Sequence, residues 1–148
     1  MALAGWYADP HGDHDQRYWD GQRWTEHVAS FGLALVDPSE DVGLPDQEQR
    51  LWGHGAHVLT THRIWIDDGP PSRRGHPEPL PLWTVQDVEP RKKLGQDLSA
   101  TGDIALRVAY PGYVGPTHRV LKAVPQVGVT AAWIRRWARR NRRVYGAG

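Results

Sequence analysis

Apolar and polar positions alternate with a period of two through much of the chain after residue 49, and switch to a helical period only near its end. The clearest run is 102–110, where Ile104, Leu106, Val108 and Tyr110 alternate with Asp103, Ala105, Arg107 and Ala109. That is the spacing of a half-buried strand. Shorter runs at 50–53, 56–60, 62–67, 80–88 and 118–124 predict further strands. Turn signals separate them, including Asp67-Asp68-Gly69-Pro70 and Pro111-Gly112. Residues 70–79, with four prolines and two arginines, read as a loop. Over 127–144, Ala131, Ile134 and Ala138 share one side, and Trp133 and Trp137 sit four apart beside them. This spacing predicts an amphipathic helix that caps the strands and that Gly146 can end.

The first third follows a different pattern. Trp6, Tyr7, Tyr18, Trp19 and Trp24 crowd into residues 5–27, and Asp20-Gly21 lies between Trp19 and Trp24. Asp-Gly supplies the backbone freedom of a tight turn, so the segment predicts a β-hairpin carrying an aromatic platform. Residues 1–29 form this module, which is too short to bury a core alone. Residues 30–48 read as an acidic linker marked by Pro38, Gly43 and Pro45, with Phe31, Leu33 and Leu35 available to pack on a neighbour. Residues 49–148 form the main unit.

Composition narrows the chemistry. The 148 residues contain no cysteine, which excludes disulfides and thiolate sites. No apolar run approaches the length of a membrane-spanning helix. The opening residues show neither a basic region nor a long apolar stretch, so a cytoplasmic location is expected, extending to a peripheral position at the inner membrane face. The net charge of +1 conceals a split: residues 1–50 hold ten acids against three arginines, and residues 51–148 hold seven acids against fifteen bases. Such asymmetry suggests that the halves touch, or that the basic half meets an anionic partner.

Two stretches resemble known families. Gly5-Trp6-Tyr7-Ala8-Asp9-Pro10, Arg17-Tyr18-Trp19-Asp20-Gly21 and Trp24-Thr25 resemble a short actinobacterial domain of unknown function. Leu59-Thr60-Thr61-His62-Arg63-Ile64, Trp83-Thr84-Val85-Gln86-Asp87-Val88 and Thr101-Gly102-Asp103-Ile104-Ala105-Leu106 resemble, in order, bacterial pleckstrin-homology-like domains. The second resemblance covers residues 49–143 and implies an antiparallel β-barrel capped by a C-terminal helix. The expected fold is therefore mainly β, with an N-terminal aromatic hairpin module joined to such a barrel.

Candidate sites follow from residue type. Trp6, Tyr18, Trp19 and Trp24 could line a groove for an extended or proline-rich peptide, or dock the module on the barrel. Arg135, Arg136, Arg139, Arg140, Arg142 and Arg143, with no acid among them, form an anion-binding candidate, and Arg91, Lys92 and Lys93 form a smaller one. His11, Asp13, His14 and Asp15, and the pair His54 and His57, offer metal donors without an evident rigid frame, and no metal or cofactor is expected. No G-x-S-x-G, phosphate-binding glycine loop or HExxH is present, so no enzymatic activity is expected. The expected function is binding or adaptor activity toward anionic lipid headgroups or a protein partner. Homo-oligomerisation or a domain swap could accompany it. Nucleic-acid binding through the arginine-rich helix is one alternative. The other is a structural scaffold in which the acidic half covers the basic half.

Overall fold

A computed structural model describes residues 2–38, 43–68, 72, 75–92, 95–110, 112, 114–115 and 117–146. Among these residues the chain is mainly β, with three antiparallel sheets and a single C-terminal helix.

The N-terminal sheet is a four-stranded meander of β1 (Gly5–Ala8), β2 (Gln16–Trp19), β3 (Trp24–Ser30) and β4 (Leu33–Val36). The expected Asp-Gly turn closes β2 on β3, with Asp20 Oδ1 accepting from the N–H groups of Gln22 and Arg23. The flanking strands β1 and β4 were not anticipated. β4 occupies the start of the stretch expected as linker, and Leu33 and Leu35 alternate inward along it. Phe31 and Gly32 link β3 to β4, both with positive φ (54° and 76°). Such an angle is costly for Phe, and no asparagine or aspartate announces this turn. The later linker residues hold to the body: Leu44 packs on the core, and Glu48 accepts hydrogen bonds from Thr60 and Arg63. Residues 39–42 lie outside the described residues.

The main unit begins with a second sheet of β5 (Arg50–His54), β6 (His57–Thr60), β7 (Arg63–Ile66) and β8 (Glu78–Pro81). β9 (Val85–Arg91), β10 (Gly102–Val108) and β11 (Thr117–Val124) form the third, with β10 central. The single strand expected over 80–88 is two. β8 stops at Pro81, a turn of 3-10 helix covers Leu82–Thr84, and β9 starts at Val85. Pro79 and Pro81 cannot donate to a ladder, which suits their place on an edge strand that then turns to the next sheet. Arg119 on β11 grips Asp68 through both carboxylate oxygens and ties the third sheet to the end of β7.

The helix α1 (Val127–Tyr145) lies against Leu82–Thr84, β9 and β10. Leu59, Ile64, Leu80, Val88, Ile104, Leu106 and Leu121 from the sheets and Leu82 from the 3-10 turn share one core with Val127, Ala131, Ile134 and Ala138 from the helix. The helical period read at 131, 134 and 138 is thus the face α1 buries.

Candidate functional site

The arginines of α1 converge on the N-terminal sheet. Residues 9–14 prepare that meeting. Asp9 accepts from the backbone N–H groups of His11 and His14 and from Arg17 Nε, each at 3.0 Å, and so fixes the loop between β1 and β2. Burial works against the Asp9 carboxylate, but Arg17 and the two N–H groups outweigh it and hold its pKa below the ordinary value. Arg17, itself buried, also donates to the carbonyls of Thr25 and Asp37.

Three carboxylates face the helix from this frame. Asp13, fully buried, accepts from Arg140 Nη2 at 2.8 Å and from Arg143 Nη2 at 2.9 Å. Asp37 lies 2.9 Å from Arg136 Nε and accepts from Arg136 Nη2 at 3.3 Å. Asp15 accepts from Arg135 at 2.9 Å and from Arg139 at 3.3 Å. Partial burial raises the Asp15 pKa, but Arg135 and the Phe31 N–H overcome it, and the net direction is downward. The sixth arginine, Arg142, donates to the carbonyl of Val85 on β9. The residues expected to meet an external anion therefore meet internal acceptors, and Arg136 and Arg140 are buried.

Apolar contacts fill the same seam. The Arg135 guanidinium stacks 3.5 Å from the Phe31 ring centre, a packing reason for the strained Phe31 turn. Arg136 lies 5.0 Å from the rings of both Trp133 and Trp137. Leu33 reaches α1 at Gly128, where an added Cβ would stand 2.4 Å from Leu33 Cδ1 and 2.5 Å from Leu98 Cβ. His14 is buried with Nδ1 2.9 Å from Ser30 Oγ and Nε2 2.9 Å from Asp37 Oδ2, its ring edge-on to Trp133. The histidine and aspartates weighed as metal donors are thus committed to this seam, and no group of three metal donors converges among the described residues.

The aromatic residues do not form one groove. Trp6 pairs with Tyr18 across β1 and β2, with rings 5.4 Å apart and edge-on. Trp19 pairs with Trp24 across β2 and β3 at 5.2 Å, and Tyr7 joins Trp24 at 6.3 Å. Neighbouring residues in a strand point to opposite faces, so Trp6 and Tyr18 occupy one face and Tyr7, Trp19 and Trp24 the other. Trp6, Tyr7 and Trp24 keep 41%, 38% and 38% of their surface exposed. Arg91 and Lys92 are exposed at the end of β9, with Arg91 3.9 Å from Glu89, and Lys93 lies outside the described residues.

Sequence reasoning missed Asp13, Asp15 and Asp37 as partners of particular arginines. The charge split between the halves was their one visible signal. No described helix is long and apolar enough to cross a membrane. No curated protein and no solved structure matches the chain. Residues 4–42, which comprise the N-terminal sheet and all three seam carboxylates, match the family described as protein of unknown function (DUF2510).

Proposed function

We propose a non-enzymatic binding or adaptor protein in which a pleckstrin-homology-like unit holds the N-terminal sheet in one orientation and the sheet presents its outer aromatics to a protein partner. Sheets of four and three strands followed by one helix, together with the three ordered motifs, support the pleckstrin-homology-like assignment. The observation that carries the partner assignment is a contrast. All six α1 arginines already have internal acceptors, whereas Tyr7 and Trp24, on one face of the sheet, each stand about two-fifths exposed. Aromatic side chains with a free face are the residues that dominate protein interfaces.

The second reading is an anionic membrane surface. It is favoured by the exposure that Arg143 retains and by the exposed Arg91 and Lys92. Nucleic acid follows by the same charges.

Proximity cross-linking in the source cells would compare the wild type with Tyr7→Ala/Trp24→Ala, with liposome co-sedimentation in parallel. A discrete cross-linked partner lost in the variant, without salt-sensitive vesicle binding, is the expected result. An unchanged cross-linking pattern sinks the aromatic surface. Binding to anionic vesicles only, lost on Arg91→Gln/Arg143→Gln, moves the function to the membrane.

A further inference from the structure

A concave feature adjoins the seam at Arg136 and extends between β5 and the amino-terminal part of α1. It is a half-open cleft of about 520 Å³. Leu51 and Trp52 form one wall, and Val129, Trp133 and Trp137 the other, with Arg136 at one end. The volume falls within the range of small-ligand sites.

Three features define what fits. First, the lining follows α1 from Gln126 to Trp137, about three turns or ~16 Å at the rise of an α-helix, so the cleft is long rather than round. Second, it offers apolar surface without a free charge. The Arg136 cation is already held by Asp37 and flanked by Trp133 and Trp137, and the Thr130 hydroxyl donates to the Pro125 carbonyl. Among the described residues no carboxylate lines it. Third, Gln126 at its rim has φ of 47°, an uncommon angle for a residue with a side chain, at the point where the chain enters α1. An apolar guest gains when it displaces water from the partly exposed Trp52 and Trp133 and from the aliphatic lining, and dry apolar cavities of smaller size bind apolar molecules.

We infer that this cleft binds one unbranched aliphatic chain, with the chain along Trp52, Trp133 and Trp137 and its polar head outside the mouth. This site is independent of the aromatic surface on the N-terminal sheet. The neutral lining has a specific consequence: the head group carries little of the affinity, so an alcohol, a carboxylate and an ammonium on the same chain bind alike.

The test uses the full chain with decanol, decanoate and decylammonium, each below its micelle threshold, followed by tryptophan fluorescence and isothermal titration. The expected result is saturable one-to-one binding, with affinities for the three probes within about fivefold of each other. Val129→Trp, which fills the cleft, reduces each affinity at least tenfold. Leu51→Glu, at a half-exposed position that leaves the core intact, does the same if the first variant folds poorly. Affinities unchanged in folded variants overturn the proposal, as does absence of saturable binding. Binding to phosphatidylcholine vesicles without binding of monomeric probes would also overturn it, since the cleft would then be a membrane contact. A concentration-dependent dimer dissolved by Leu51→Glu and indifferent to the probes would show that a second copy fills it.

Discussion

Arg140 and Trp24 both looked like binding residues, and the fold treats them oppositely. Arg140 is 2% exposed and locked to Asp13, while Trp24 is 38% exposed. The residue that water solvates best is hidden, and the one that water solvates worst is displayed. Hiding a guanidinium is tolerable only when a carboxylate and other polar atoms replace its water, and Asp13 does this for Arg140 while also accepting from the exposed Arg143. Displaying an indole needs no such compensation, because an isolated exposed apolar side chain is ordinary. A cluster of like charges in one segment therefore says little about an outside ligand until the opposing charges of the same chain have been placed.

The largest expected effect comes from breaking the hidden side. Asp13→Ala strips Arg140 of its counter-charge and is expected to cost about 3–5 kcal/mol in chemical denaturation. Asp13→Ala/Arg140→Met removes the orphaned cation as well and is expected to recover part of that loss. A single-variant cost within 1 kcal/mol of zero would mean that the seam opens readily to water, and the contrast with Trp24 would collapse.

Gly128→Ala tests the apolar part of the same seam. Alanine favours a helix over glycine by about 1 kcal/mol. Here the added methyl would meet Leu33 Cδ1 and Leu98 Cβ at 2.4 Å and 2.5 Å, and Leu98 Cβ cannot rotate away. Overpacking of this kind costs roughly 1–3 kcal/mol, so a net loss of stability is expected despite the gain in helix propensity. A rise in Tm would show that the sheet sits loosely on α1.

Acid acts more gradually. Asp9, Asp15 and Asp68 have folded pKa values below their ordinary range, because arginines and backbone N–H groups outweigh the burial that opposes them. A depressed carboxylate stabilises the fold fully above its unfolded value, and that stabilisation is lost as pH falls through about 4 toward the lower folded value. Burial holds the His57 pKa below its ordinary value, so the neutral ring stabilises the fold and that contribution is lost as pH falls below about 6.5. Stability at constant ionic strength is therefore expected to decline modestly below about 6.5 and further below about 4. A main loss already near neutrality would place control with His57 rather than with the aspartates, and His57→Gln would remove it.

How much of this was legible depended on whether the signal was local. The alternation of Ile104, Leu106 and Val108, the 131–134–138 stripe and the Asp20-Gly21 turn are written in neighbouring residues, and each yields an element near its expected place. β4 was hidden because Phe31-Gly32 lacks ordinary turn chemistry; the reason for Phe at that position is Arg135, a hundred residues away. The break between β8 and β9 had a local sign in Pro79 and Pro81 that an apolar pattern over 80–88 overrode. The seam was visible only as a charge imbalance. Which aspartate meets which arginine depends on where the β1–β2 loop falls relative to α1, and no local pattern carries that. The aromatic groove failed for a simpler reason: strand alternation separates Trp6 and Tyr18 from Trp19 and Trp24 once β1 is recognised as a strand.

The smallest stability effect is expected on the displayed side, and there a small effect is the informative one. Trp24→Ala removes edge-on contacts with Trp19 and Tyr7, each contributing about 0.5–1.5 kcal/mol beyond area burial where rings are buried. With Trp24 partly exposed, the loss should lie toward the low end of the ordinary range for point variants, about 1 kcal/mol. The Tm should move by a few degrees, and the far-ultraviolet spectrum should be unchanged. If Trp24→Ala instead costs as much as Asp13→Ala, the aromatics are the glue of the N-terminal sheet and are not available to a partner. If it costs little and the cross-linked partner disappears, the exposed indole serves recognition, and the seam serves to hold it in place.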